Sequence, residues 1–87
     1  MYIVYILENE TRSKWYYGFT ENMERRLEEH NTKRGGNFTR QNPGRWILIF
    51  QRKFENKSDA LKFEIQLKKF KNKTYIRQRF SEYFSVG

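Results

Sequence analysis

Glu64 is the charged residue whose position fits an ordinary amphipathic helix least well. Residues 58–70 have helical spacing, and at about 100° per residue Glu64 falls inside the apolar arc of that helix. A buried charge without a partner is costly, so this carboxylate must either pair or face a cleft. An i,i+4 ion pair with Lys68 is the alternative, although such pairs usually lie on solvated faces. The pattern therefore favours a functional carboxylate. The predicted arc comprises Ala60, Leu61, Phe63, Ile65 and Leu67.

Arg26 and His30 form a second group of residues that could take part in a reaction. They lie four residues apart in a helix predicted to begin near Thr20 or Asn22. Taken singly, Arg26 fits a cation whose stem packs at the core boundary. His30 fits a residue that interacts with the last carbonyls of the helix. Only a combination with further polar side chains would indicate a site.

Two tyrosines supply that combination, because they lie in the strand-like runs 2–7 and 14–18 that a short polar stretch joins as a hairpin. With a turn at residues 10–11, Tyr5 pairs opposite Tyr16 and both hydroxyls point to one face of the sheet. Taken alone, each could be an ordinary strand tyrosine. We therefore expect Tyr5 and Tyr16 to lie together with Arg26 and Glu64 on one concave surface.

The elements that must position these residues follow an α+β pattern in the order ββαβαα. The first strand is apolar throughout, which predicts a strand covered on both faces. With 87 residues there is room for one domain, which we place at 1–87. After the first helix we expect a loop at 31–44, a strand at 45–54, a helix from an N-cap at Ser58 to about Phe70, and a last helix beginning near Thr74.

Composition excludes several classes of protein. There is no cysteine and a single histidine, which excludes disulfide scaffolds, thiolate metal sites and His-rich zinc sites. No apolar run reaches the roughly 18 residues that a membrane span needs, and no signal peptide is recognisable. We therefore expect a cytoplasmic protein that does not cross a membrane.

The charge is divided unevenly along the chain. Residues 1–32 carry a net charge of −2, and residues 33–87 carry +10. A basic block of this size indicates a polyanionic partner such as a nucleic acid. A membrane surface is the competing partner, and charge alone does not separate the two.

Five short motifs follow one another in a recognisable order. They are Ile3-Val4-Tyr5, Tyr16-Tyr17-Gly18, the helix that contains Arg26-Leu27 and His30, a Thr39-Arg40 loop followed by Pro43-Gly44-Arg45-Trp46, and Asp59-Ala60-Leu61-Lys62-Phe63-Glu64 with the residues up to Lys68. In this order and spacing the chain resembles the GIY-YIG nuclease superfamily, in its small stand-alone bacterial branch. Three positions depart from the family pattern, namely Ile3, Tyr17 and Phe19.

The resemblance implies a three-stranded antiparallel sheet flanked by helices, and an endonuclease that hydrolyses phosphodiester bonds with a single divalent ion. By position, Tyr5, Tyr16, Arg26 and His30 match catalytic positions of the family, and Glu64 matches the carboxylate that holds Mg²⁺ or Mn²⁺. Gly18 matches the glycine that lets the backbone turn tightly beside the site.

The chemistry of these residue types agrees with that assignment. A hard carboxylate oxygen suits Mg²⁺, and a planar guanidinium suits a phosphate. A tyrosine that deprotonates water at neutral pH would need a nearby cation to lower its pKa. For tracking a nucleic-acid backbone we expect five basic residues, which are Lys33, Arg34, Arg40, Arg45 and Arg52.

Three functions remain open at this point. The first is a structure-selective or weakly sequence-specific endonuclease that acts on DNA in preference to RNA, with another repair or mobile-element protein as a conceivable partner. The second is a nucleic-acid-binding module that kept the fold but has little or no catalytic activity. The third is a protein-interaction or membrane-surface domain that uses its basic face.

Overall fold

The central element of the fold is a strand buried on both faces, as its composition predicts. In the computed structural model, which describes residues 1–11, 14–32 and 44–84, β1 (Tyr2–Asn9) lies between β2 (Trp15–Thr20) and β3 (Trp46–Phe54) in an antiparallel sheet of order β2-β1-β3. Val4 and Ile6 point to one face of the sheet, and Ile3, Tyr5 and Leu7 point to the other. Both faces must therefore be covered by helices.

The helices follow the predicted order ββαβαα. Helix α1 (Met23–Asn31) covers the face that carries Tyr5, while α2 (Lys57–Lys69), α3 (Lys73–Arg79) and a 3₁₀ turn at Ser81–Tyr83 cover the opposite face. Among the residues that the structure describes, no helix is both long enough and apolar enough to cross a membrane.

Each α-helix begins at an asparagine whose side chain accepts the backbone N–H three residues later. These N-caps are Asn22, Asn56 and Asn72. The predictions of Ser58 and Thr74 as caps were therefore wrong by two residues each. An asparagine side chain is as good an N-cap as serine and better than threonine, and Asn22 was one of the two caps expected for α1.

A β-bulge in the β1–β3 ladder decides which residues of β3 face which helix. The register shifts between Ile6 and Leu7, so that Ile6 pairs with Phe50 while Leu7 pairs with Leu48. Because one extra residue reverses the alternation of side chains, Trp46 and Leu48 face α1 and Phe50 faces α2. The bulge thus lets one strand supply large core residues to both faces.

Candidate active site

Tyr5 lies at the centre of β1 with no exposed surface, and its position depends on Gly18. The two residues pair across the β1–β2 ladder, and a Cβ atom at Gly18 would overlap the Tyr5 ring and hydroxyl. Gly18 was expected to make a tight turn. It lies instead inside β2, where its missing side chain leaves the space that the Tyr5 ring occupies.

The Tyr5 hydroxyl is held by two residues of α1. Arg26 Nε donates to the Tyr5 oxygen over 3.3 Å, and the same oxygen lies 3.0 Å from His30 Nε2. Arginine can only donate, so it takes one acceptor position of the phenol oxygen. When the imidazole is neutral and carries its proton on Nδ1, His30 Nε2 accepts the phenol proton. Arg26 and His30 are brought to the same atom because they are i,i+4 neighbours on the helix.

Burial sets the protonation state of this network. It lowers the pKa of His30 to about 4, with the positive charge of Arg26 acting in the same direction and Glu29 opposing it. Burial also raises the pKa of Tyr5 to about 12, and the hydrogen bond from Arg26 reverses only part of that rise. At neutral pH both side chains are therefore uncharged. Arg26 is the kind of nearby cation that a base tyrosine would need, but it does not bring the pKa of Tyr5 below its usual value.

Tyr16 lies on the same face as Tyr5, although the predicted register was wrong. Tyr5 pairs with Gly18, and Tyr16 pairs with Leu7, so the ladder is shifted by two residues from the expected one. A shift of two keeps every side chain on its face. The Tyr16 ring centroid accordingly lies 6.2 Å from that of Tyr5 and 4.7 Å from that of His30.

The two tyrosines and Arg26 share a cleft of about 550 Å³ with Glu64. Glu64 reaches it from α2 on the other side of the edge strand β2, and its carboxylate forms an ion pair of 3.4 Å with Lys68. The structure agrees with both interpretations of Glu64, because the residue faces a cleft and also forms an ion pair with Lys68. The predicted apolar arc was wrong at one end, because Leu61 is 36% and Ile65 is 54% exposed.

The cleft and its residues can now be compared with known proteins. A model of the GIY-YIG catalytic domain matches residues 1–77 of the chain. The chain belongs to the GIY-YIG family. Its relatives include UPF0213 proteins of Oceanobacillus iheyensis, 40% identical over 75% of this chain and 73% of the relative, and of Enterococcus faecalis, 43% identical over 68% of each.

A solved structure agrees with this assignment. The solution NMR structure of a UPF0213 protein from Bacillus halodurans superposes with a TM-score of 0.56 at 30% identity, covering 93% of this chain and 84% of that one. GIY-YIG proteins are a family of endonucleases, which generally use a divalent metal. The resemblance seen in the sequence is therefore confirmed at the level of family and fold.

Of the five basic residues expected to track a nucleic acid, the structure describes Arg45 and Arg52, and neither of them lines the cleft. Lys33, Arg34 and Arg40 lie outside the described residues. Arg45 is exposed beside the β1–β2 hairpin, where its carbonyl accepts the Glu10 N–H. The Arg52 guanidinium lies 4.7–4.9 Å from three ring centroids on the α2 face, those of Phe54, Phe63 and Tyr83. Arg52 therefore has a structural role in this fold.

Residues that line the cleft but were not predicted as site residues come mostly from β2. Trp15, Tyr17 and Phe19 line it from the α2 face, and Lys68 lines it beside Glu64. The alternation of side chains along β2 could have indicated the aromatic residues, since they follow the same period as Tyr16 and Gly18 on the other face. The i,i+4 spacing of Glu64 and Lys68 predicted their ion pair, but the position of Lys68 at the cleft depends on how α2 packs.

The residues present suit a loosely held divalent ion. Glu64 is the carboxylate of the cleft, and within the described ranges no three His, Cys, Asp or Glu side chains cluster as a metal cage. Mg²⁺ keeps several of its waters and binds through one or two carboxylates together with substrate phosphates. A single carboxylate opposite a guanidinium fits that mode of binding and does not fit a tightly held resident ion.

Proposed function

We propose that this protein is a divalent-metal-dependent endonuclease that hydrolyses phosphodiester bonds in DNA, with selectivity for structure and little for base sequence. The observation that carries the proposal is the convergence of Tyr5, Arg26 and Glu64 on one cleft, from three different elements. A phosphodiester bond needs an activated water, a stabiliser for the phosphoryl oxygens and help for the leaving oxygen. Each of these tasks has a chemically suitable group in the cleft.

The water would be activated by Tyr5 together with His30. With a pKa near 12 Tyr5 keeps its own proton at neutral pH, so it is a poor base by itself. Its oxygen lies 3.0 Å from His30 Nε2, which can accept the phenol proton in the tautomer that is protonated on Nδ1. In the free protein Tyr5 has no exposed surface, so the attacking water would have to reach its oxygen from the cleft when a substrate binds. The oxygen would then take a proton from the water while it gives its own to His30, and no free phenolate would have to form.

Arg26 would bind and stabilise the phosphoryl oxygens. Its Nε donates to Tyr5 and its Nη1 lies 3.5 Å from Glu29 Oε1. A guanidinium carries five N–H groups, so further donors remain for a phosphate. Because the pKa of Arg26 is raised by the Tyr5 and Tyr16 oxygens in spite of burial, the group keeps its charge at any physiological pH.

Glu64 would hold the divalent ion. When bound there, such an ion would neutralise charge on the phosphate and assist the leaving oxygen. The carboxylate itself contributes a hard oxygen ligand on the wall of the cleft that α2 forms.

The charges on the surface indicate the side from which a nucleic acid approaches. Three acidic side chains are exposed on α1 and just before it, those of Glu21, Glu24 and Glu28, beside one exposed cation, Arg25. Helices α2 and α3 and the segment between them expose lysines and arginines in excess. These are Lys57, Lys62, Lys68, Lys69, Lys71, Lys73, Arg77 and Arg79. A phosphate backbone should therefore cross the α2–α3 side of the cleft and avoid α1.

A nicking assay tests the proposal. Supercoiled plasmid, branched DNA and single-stranded DNA would be incubated with the protein and Mg²⁺ or Mn²⁺. We expect metal-dependent cleavage that Tyr5→Phe and Glu64→Gln abolish. Glu55→Gln, which removes an exposed carboxylate before α2, is the matched control and should cleave like the wild type. Cleavage that persists in Glu64→Gln, or in the presence of a chelator, would refute the metal-dependent mechanism.

A nucleic-acid-binding module without efficient catalysis is the second candidate. The observation in its favour is that burial makes Tyr5 a weaker acid and His30 a weaker base than the free amino acids. That module would bind DNA in a salt-dependent manner through the α2–α3 side and leave every substrate intact. Binding without cleavage on all three substrates would select it over the nuclease.

A further inference from the structure

Lys68 brings a second cation to the cleft, and its place there differs from that of the other lysines of α2. The charged side chains that line the cleft are Arg26, Glu64 and Lys68, which together carry a net charge of +1. Lys68 Nζ lies 3.4 Å from Glu64 Oε2. The Glu64 side chain is 15% exposed and the Lys68 side chain is 54% exposed, so the ammonium group reaches inward from the rim.

An ordinary i,i+4 ion pair would stabilise the helix by a few tenths of a kcal/mol and have no further consequence. This pair differs in where the carboxylate lies. Glu64 is the oxygen ligand of the cleft, and the lysine ammonium stands against the same oxygen atoms that a divalent ion would need. A bound dication would also be repelled by the ammonium group at short range.

We propose that Lys68 is a positioning residue that occupies the Glu64 carboxylate in the free protein and keeps the divalent ion away until a substrate phosphate enters the cleft. The inference rests on the proposed function, since it concerns the same carboxylate. A phosphate between Arg26 and Lys68 cancels the net positive charge of the cleft. The lysine ammonium, on its flexible stem, then turns from Glu64 to the phosphate and leaves the carboxylate to the metal.

This order of binding has a thermodynamic consequence. If the phosphate raises the affinity for the metal, the metal raises the affinity for the phosphate by the same factor. The interaction of a unit charge with a dication at contact distance, even in a water-like dielectric, corresponds to roughly a tenfold change in metal affinity. Removal of the Lys68 charge should therefore tighten metal binding in the free protein by roughly tenfold and weaken the coupling to DNA.

Titration of the full-length protein with Mn²⁺, followed by electron paramagnetic resonance of the free ion, measures this affinity without any catalytic turnover. Lys68→Met removes the charge and keeps an unbranched stem that favours a helix. Lys68→Arg keeps the charge and should bind Mn²⁺ as weakly as the wild type. Lys69→Met removes a neighbouring exposed charge that does not line the cleft, and it serves as the matched control.

The coupling is measured by repeating each titration with a single-stranded oligonucleotide in a Tyr5→Phe background, with a gel afterwards to verify that the strand is intact. We expect the oligonucleotide to tighten Mn²⁺ binding in Tyr5→Phe, and to tighten it by a smaller factor once Lys68→Met is added, because the phosphate still binds the ion directly. Circular dichroism verifies that every variant is folded.

The outcomes separate this inference from the proposed function. Equal Mn²⁺ affinities in the wild type and Lys68→Met, with Glu64→Gln still abolishing binding, would overturn the role of Lys68 and leave the nuclease proposal standing. An equal gain in Lys69→Met would overturn it too, because the effect would then be general electrostatics. Mn²⁺ binding that survives Glu64→Gln would overturn both.

Discussion

His30 should remain neutral far below the pH at which histidines usually gain a proton. It is 1% exposed, and the groups around it include the Tyr5 hydroxyl, the Tyr16 ring, Arg26 and Glu29. Burial is the largest cause that lowers its pKa from 6.5 to about 4, and the Arg26 charge adds to it. A proton on Nε2 would also replace the acceptor of the Tyr5 hydrogen bond with a donor.

The effect of pH on stability follows from the difference between the His30 pKa in the folded protein and that in the unfolded chain. The unfolded chain binds a proton at His30 below about pH 6.5, whereas the folded protein does so only near pH 4. The stability that neutral His30 provides is therefore complete above pH 6.5 and is lost as the pH falls toward 4. At about 1.4 kcal/mol per pH unit, the loss is about 2 kcal/mol at pH 5 and about 3 kcal/mol at pH 4.

The measurement is unambiguous because His30 is the only histidine of the chain. Its ring protons can be followed by NMR from pH 8 to 4, and we expect no titration in the folded protein above pH 5. Urea unfolding at pH 7.5 and 5 should show a loss of about 2 kcal/mol in the wild type. His30→Gln, which keeps an acceptor for Tyr5, should show little loss over the same range. A midpoint near 6.5, or parallel pH profiles for the two proteins, would refute the reasoning.

Three further substitutions, each followed by urea unfolding, test residues that hold the fold around the site. Gly18→Ala should destabilise the fold by about 2–3 kcal/mol, because its methyl group meets the buried Tyr5 ring, and a cost below 0.5 kcal/mol would contradict this. Asn31→Ala should cost about 1–3 kcal/mol, since the Asn31 amide both donates to and accepts from the Trp46 backbone at 3.1 and 2.8 Å; an unchanged midpoint would argue against this link between α1 and β3. Arg52→Met should cost about 1 kcal/mol through its lost aromatic contacts and leave DNA affinity unchanged, whereas reduced DNA binding at full stability would restore the phosphate role expected from sequence.

The features that local chemistry determines were predictable from the sequence. The uninterrupted apolar run of β1 required cover on both faces, and α1 and α2 provide it. Tyr5 and Tyr16 share a face in spite of a wrong register, because the error was an even number of residues. An error of one residue would have placed Tyr16 in the opposite core.

The features that depend on tertiary packing were not predictable. The helical wheel counted Leu61 and Ile65 as buried, but α2 packs against the core with its Ala60, Phe63 and Leu67 side and leaves the other two exposed. The pKa values of Tyr5 and His30 depend on burial beneath α1, which the spacing of the motifs does not reveal.

In the free protein a cation acts on each of the two proposed catalytic groups, His30 and Glu64. The binding of a substrate phosphate would relieve both effects. The Arg26 charge helps to keep His30 a weak base, and the Lys68 charge occupies Glu64. A phosphate bound between the two cations would neutralise one and attract the other. The basicity of His30 and the access of metal to Glu64 would then rise together, at the moment when a phosphodiester is in place. A cleft arranged in this way would combine poor affinity for free metal with hydrolysis that depends on the substrate, and the proposed nuclease, with its little sequence specificity, would need such a safeguard.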